Sequence, residues 1–334
     1  LTAELTPDDV GVGWSALAET SVYSHFRPLS DAAHRFIADT RSEKRIFTGI
    51  PALDAEMRGI SAGHLAMIVG YSHSGKTLVA LHMIAKNQAK RVCYFVPDEP
   101  APLVLTKLAC MSWGVSGAEL EERVAHGDPW GIKVLHETIE QYSNLAVFDR
   151  PLTPRAMTQG YAEACDSWGA PADLIVVDYL DLVQAGDSVM GKADFVKSFG
   201  TEHDVPMIVL HQTSRSAGSR GQQMRIDSGG YGGETHATFQ IGVWRKRAAI
   251  TAELVEMEAK PPTQYNLDRI AELHHQLSIH QYTLSLNLNK NKRPSGRLLD
   301  TIDFEMNLET GVLTPLYGNV PEQFRQGAHL RSVQ

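Results

Sequence analysis

Along the chain, short apolar runs alternate with longer stretches in which apolar residues recur every three to four positions. The runs are Leu65–Val69, Arg91–Val96, Leu145–Phe148, Leu174–Val177 and Met207–Leu210, each dominated by Val, Ile, Leu and aromatic residues. Strands that are nearly continuously apolar have both faces covered, so this texture predicts a parallel sheet between layers of helix. Helical periodicity fills the intervals, at about 76–89, 101–113, 117–126, 154–168 and 190–203. After Met207 strand follows strand. Phe239–Arg245, Tyr282–Lys290 and Arg297–Met306 predict antiparallel pairing, or a hairpin, closing one edge of the sheet. The expected fold class is α/β, with a mostly parallel twisted sheet flanked by helices and C-terminal antiparallel strands.

The same pattern divides the chain into a weakly patterned arm (residues 1–45), one α/β domain (46–318) and a tail (319–334). Within the arm, Ser30–Lys44 predicts an amphipathic helix capped by Ser30 or Asp31, with Ala33, Phe36 and Ile37 on one face. Such a helix serves equally as an intrachain strut or as a linker to a neighbouring subunit. Residues 246–281 interrupt the terminal strands; Pro261-Pro262 splits them, and Leu267–His280 predicts a helix. That helix carries His274, His275 and His280, without the HExxH spacing of a zinc site, and they are expected to be solvated side chains.

Composition narrows the functional classes. The chain has 334 residues, 43% apolar and 21% charged, which suits a globular protein. With 31 Lys+Arg against 39 Asp+Glu the net charge is −8, so any contact with nucleic acid must come from a local basic patch. Cys93, Cys110 and Cys165 lack CxxC spacing and are expected as buried thiols. No apolar run approaches the ~20 residues of a membrane span, and Glu4, Asp8 and Asp9 stand where a signal peptide is basic. A cytoplasmic protein without membrane contact is expected.

Gly70-Tyr71-Ser72-His73-Ser74-Gly75-Lys76-Thr77 satisfies GxxxxGK[ST] and lies between an apolar strand and a helix. Glycines let the backbone wrap around phosphate, and successive N–H groups at a helix N-terminus form an anion nest. A nucleotide is expected on Gly70, Ser72, Ser74, Gly75, Lys76, Thr77 and Leu78, with Lys76 at the β/γ-phosphates and Thr77 on Mg²⁺. Asp178 ends the apolar strand Leu174–Val177 and is the second expected Mg²⁺ ligand, direct or through water. Hydrolysis of ATP also needs a group to activate water. Asp98 and Glu99 follow a strand expected beside the phosphate-loop strand; Glu99 is the candidate base and Asp98 its competitor.

Taken together, these segments resemble the DnaB-type replicative helicases among the RecA-like P-loop ATPases. Asp178-Tyr179-Leu180-Asp181-Leu182 is similar to the family's DYLQL segment, and Thr48–Asp54 with Gly59 and Gly63-His64-Leu65 to its lead-in. Phe95–Pro100 occupies the position of its S-L-E-M segment, whose Glu is catalytic, which the resemblance carries to Glu99. Leu210-His211-Gln212-Thr213-Ser214-Arg215 resembles L-S-Q-L-N-R, implying that Gln212 senses the γ-phosphate. Lys290–Gly296 resembles a K-Q-R-N-G-P-x-G hairpin that reaches the neighbouring subunit's ATP. Lys290, Lys292 and Arg293 are the implied trans-acting cations; the register selects Lys292, while a turn one residue shorter leaves Arg293 open. The resemblance spans about residues 46–316 and implies a RecA-like P-loop NTPase core preceded by a short arm, as in a minimal phage-like protein. It also implies a hexameric ring, a 5′→3′ course on single-stranded or forked DNA, and a primase or loader as partner.

Two strand-end loops are the candidate DNA contacts: Gln184–Ala193, with Lys192, and Ser214–Gly233, with Arg215, Arg220 and Arg225. Basic, glycine-rich and poor in aromatics, the second suits phosphate contact without base readout. The expected function is an ATP-driven DNA helicase. The rivals are a filament-forming recombinase and a non-translocating ATP-switch scaffold.

Overall fold

Helix boundaries follow from capping chemistry at many of the predicted positions. Residues 29–41, 45–213, 223–226 and 233–316 are described by a computed structural model. The chain divides into two compact units, Leu1–Lys44 and Arg45–Gln334. In the first, α1 spans Leu29–Arg41, one residue ahead of the expected caps, so that Asp31 lies in the first turn, where it opposes the helix dipole.

The second unit begins with α2 (Pro51–Met57), β1 (Leu65–Gly70), α3 (Lys76–Lys86) and β2 (Val92–Phe95). It continues through α4 (Ala101–Trp113), α5 (Gly117–Ala125), α6 (Pro129–Gln141), β3 (Leu145–Phe148), α7 (Pro154–Trp168) and β4 (Leu174–Val177). Then come α8 (Val189–Glu202), β5 (Met207–Gln212), β6 (Phe239–Arg245), α9 (Lys246–Glu258), α10 (Gln264–His280), β7 (Thr283–Asn291), β8 (Leu299–Met306) and β9 (Leu313–Pro315). Ser116, Asp128, Thr153, Ser188 and Thr263 each accept a backbone N–H at the start of their helix. Gly114 and Gly169 end α4 and α7 in the left-handed region. Asp128-Pro129 is the start signal of α6, a helix the periodicity did not single out.

One nine-stranded sheet has the order β3-β2-β4-β5-β1-β6-β7-β8-β9. The first six strands are parallel, and β7, β8 and β9 add antiparallel pairs. Three expectations need correction. First, β6 lies parallel to β1, with Ala66 opposite Phe239, because β1 offers it an open edge after a long crossover. Second, β2 is not beside β1: β4 and β5 stand between them. Parallel strands joined by crossovers need not be spatial neighbours, and a sequence pattern does not encode their order. Third, residues 189–193 of the first candidate DNA loop are the opening turn of α8, started by the Ser188 cap.

Alternate residues of each strand feed two cores. Ala66 and Ile68 pack with α2, α3 and α4, while Leu65, Met67 and Val69 face α7 and α8. Burying each such Val, Leu or Ile contributes roughly 1.5–3 kcal/mol. Residues 246–281 form a helical hairpin with its own seam of Ile250, Leu254, Met257 and Leu273. Thr263 starts α10 three residues earlier than predicted. Lys246 pairs with Asp303 of β8 at 2.5 Å, fastening the hairpin to the sheet. Cys93 and Cys110 are buried and Cys165 is half-buried, all as free thiols. Among the described residues, no helix is long and apolar enough to cross a membrane.

Candidate nucleotide site

The strand, turn and helix at 65–86 fold as β1, a tight loop and α3, with the loop at the C-terminal edge of the sheet. Gly75 has φ +102°, and a Cβ there would lie 2.4 Å from Leu284 Cδ1. At Gly70 a Cβ would come within 2.5 Å of the Val243 carbonyl oxygen. Both positions therefore exclude any larger residue. Lys76 opens α3, and its Nζ donates to the carbonyls of Gly70 at 3.0 Å and Tyr71 at 2.8 Å. Burial lowers its pKa from 10.5 to about 8, against the upward pull of the Asp178 and Asp181 charges.

Asp178 follows β4 and is 5% exposed. Burial raises its pKa, and the nearby Glu99 charge adds to this; hydrogen bonds from the Tyr94 and Thr77 hydroxyls pull the other way. The Tyr94 bond is 2.9 Å long. It exists because Phe95 of β2 pairs with Val177 of β4, bringing both side chains to one strand end. Burial and Asp178 hold the Tyr94 phenol well above its ordinary range.

Glu99 stands in the turn between β2 and α4. Asp149, after β3, accepts the Ala101 N–H at 3.0 Å and so anchors the start of α4. One Glu99 oxygen pairs with Lys107 of α4; the other is buried without a partner. Gln212 ends β5, and the next residue, Thr213, donates its N–H to the Gly70 carbonyl at 3.2 Å. The end of β5 is thus fastened to the start of the phosphate loop.

A cavity of about 750 Å³ gathers Ser72, Gly75, Lys76, Thr77, Leu78, Asp98, Glu99, Asp178 and Gln212 on its walls. Gly70 and Ser74 belong to the same loop. The buried Ser74 Oγ, Glu99 Oε2 and Thr213 Oγ1 have no partner. Orphaned polar atoms beside a glycine cradle, a buried lysine and a buried carboxylate suit an anionic ligand carrying a cation. The sequence reading passed over two further contributors. Tyr94 is hidden inside an apolar strand, whereas Lys107, eight residues after Glu99, was legible as the basic residue of α4.

The other predicted residues lie elsewhere. Lys290 and Lys292 each donate to the Thr235 carbonyl, at 3.2 and 3.3 Å. The Arg293 guanidinium binds the Met57 and Gly59 carbonyls at 3.2 and 3.0 Å within the same chain. Lys192 donates to the Asp181 carbonyl. Arg225 is exposed, while Arg215, Arg220 and most of that loop lie outside the described residues, as does the tail. No group of three or more His, Cys, Asp or Glu side chains suited to a metal occurs among the described residues.

A mostly parallel sheet with a phosphate loop after β1 and an acidic residue after β4 defines the RecA-like P-loop ATPase architecture. The chain belongs to the DnaB-like helicase C-terminal domain family, whose pattern matches residues 46–228. Among solved structures it is similar to a DnaB-like replicative helicase described with its primase interactions. There the identity is 14% and the TM-score 0.63, over 88% of this chain and 68% of that one. A stand-alone ATPase domain gives 15% identity and a TM-score of 0.64, over 87% of this chain and 99% of that one. A KaiC-like protein from the archaeon Pyrococcus horikoshii gives 13% and 0.52, over 81% and 98%. No curated protein matches the sequence.

Proposed function

We propose that this chain is the ATP-hydrolysing motor of a replicative-type DNA helicase, a ring of identical subunits moving on single-stranded DNA. The observation that carries the reading is the convergence of Lys76, Thr77, Asp178, Glu99 and Gln212 on one cavity. Lys76 and the loop amides hold the β- and γ-phosphates, with Ser72, Ser74 and Leu78 completing the cradle. Thr77 and Asp178 would hold Mg²⁺, which neutralises charge on the phosphate oxygens when bound. Glu99 takes a proton from the attacking water, and Gln212 contacts the γ-phosphate. Lys290, Lys292 and Arg293 are assigned to the neighbouring subunit's nucleotide. Because Arg293 is held by Met57 and Gly59, Lys292 is the better candidate for reaching outward. Arg215, Arg220, Arg225 and Lys192 are assigned to the DNA backbone.

Six-fold rings in negative-stain images, together with ATP-dependent strand displacement on a forked duplex, are the expected result. Helical filaments with strand exchange would overturn the reading in favour of a recombinase. ATP turnover indifferent to single-stranded DNA would favour the switch scaffold, toward which the KaiC-like similarity points.

Proton linkage gives a sharper check on Lys76. Phosphate oxygens beside Nζ favour the ammonium form, so the bound protein keeps this proton to a higher pH than the free protein, where the pKa is about 8. Nucleotide affinity is therefore full below pH 8 and falls above it, by up to about tenfold per pH unit. Stability of the free protein moves the opposite way. Unfolding restores an ordinary lysine that holds its proton to about pH 10.4, so resistance to unfolding rises across that window. Calorimetry at pH 9 in buffers of different ionisation heat is expected to show uptake of about one proton on binding. Zero uptake would remove Lys76 from the phosphates.

A further inference from the structure

Two positions flanking the proposed machinery depart from the motifs they sit in. Asp181 stands where the DYLQL segment has Gln, and His211 where L-S-Q-L-N-R has Ser. They are thirty residues apart in sequence, and the fold brings them together: His211 Nδ1 lies 3.1 Å from Asp181 Oδ2. The same carboxylate oxygen accepts the backbone N–H of Gln212 at 3.3 Å. Asp181 belongs to the short turn after β4, and its own carbonyl is held by Lys192 of α8. We infer that Asp181 and His211 form a positioning pair that fixes the Gln212 peptide and thereby sets the reach of the Gln212 side chain into the nucleotide cavity. The inference rests on the reading of Gln212 as the residue that senses the terminal phosphate.

The period of two along β5 makes the arrangement a lever. His211 shares the sheet face of Met207 and Val209, the face that packs on α8, and its side chain is 2% exposed. Gln212 turns to the other face and lines the cavity. Its N–H is therefore gripped from one face while its side chain works on the other. The following peptide is tied to Gly70 of the phosphate loop, so little of the end of β5 is left to adjust independently. A carboxylate that accepts both a ring nitrogen and a main-chain N–H restrains that peptide more than a neutral acceptor would. From Thr213 the chain continues toward Arg215, so the same peptide joins the nucleotide cavity to the start of the candidate DNA loop.

A histidine that merely fills space would affect melting and leave catalytic constants alone, so the test reads rates. Steady-state ATP turnover of the whole protein is measured with and without single-stranded DNA for His211→Ser, Asp181→Gln, the double variant and Gln212→Ala. Each single change of the pair is expected to lower kcat on the order of tenfold while KM stays within about threefold. The double variant is expected to return to within about threefold of wild type, because the longer Gln side chain reclaims the space and hydrogen bond left by the smaller Ser. Losses that simply add in the double variant, or single variants with wild-type kcat, would overturn the inference. If Gln212→Ala itself leaves kcat unchanged, the sensor reading falls and the pair falls with it. If Gln212→Ala is crippled while the pair variants match wild type, only the pair is refuted. Should a single variant fail to fold, the isosteric Asp181→Asn keeps an acceptor but loses the charge. A several-fold lower kcat is then expected, and an unchanged one counts against the pair.

Discussion

Replacing Lys76 by alanine is expected to lower ATP turnover by about 10²–10³-fold or more and to weaken nucleotide binding with it. The ammonium sits at the opening of α3, where the helix dipole and the loop amides also face the phosphates, and removing it leaves only uncharged donors. Its cost to the free protein runs the other way. Burial already disfavours this charge, as the fall of its pKa to about 8 records, so deleting it relieves a desolvated cation. The free variant should melt at or above the wild-type temperature. A thermal shift with and without Mg·ATP checks both halves: wild type gains stability on adding nucleotide and Lys76→Ala does not. A variant that binds and turns over normally would remove the phosphate loop from the chemistry.

Exchanging Glu99 for glutamine is expected to lower turnover about 10²–10⁴-fold while nucleotide affinity stays within about threefold. The side chain keeps its size, so the cavity retains its shape; what disappears is the ability to accept a proton. The ion pair with Lys107 is lost as well. Because the Lys107 side chain is 35% exposed, water can take over its solvation and the expected change in stability is small. Single-turnover measurements separate the chemical step from binding. Turnover within about threefold of wild type would pass the base role to Asp98, which also lines the cavity. Asp98→Asn would then show the large loss.

How far the sequence reached depends on how local each feature is. The phosphate loop was fully legible because a strand, eight loop residues and a helix start are contiguous in the chain, and Gly70 and Gly75 are set by backbone geometry and close approach. The helices between the parallel strands were legible from periodicity, apart from α6, whose Asp128-Pro129 start was there to be read. Strand order was not. The expectation that β2 adjoins β1 was wrong, yet Glu99 still lines the cavity beside Lys76. All the parallel strands end on one edge of the sheet, so a turn two strands away can still face the loop. The direction of β6 was missed for the same reason: a strand's own pattern is identical whether its neighbour runs with it or against it.

The acidic balance of −8 still allows a nucleic-acid role only through local basic patches, of which Arg225 is a described exposed member. By itself the sequence determined the fold class, the phosphate loop and the identity of most cavity residues, since these depend on period, spacing and short contiguous motifs. Only the tertiary structure decided the rest. It put the Tyr94 hydroxyl on Asp178, Lys107 on Glu99, Arg293 on the lead-in loop, and Asp181 against His211 and the Gln212 peptide. Most of these contacts join residues far apart in the chain. Their distances are set by strand order and sheet register, which arise from packing the whole domain and are written in no single segment.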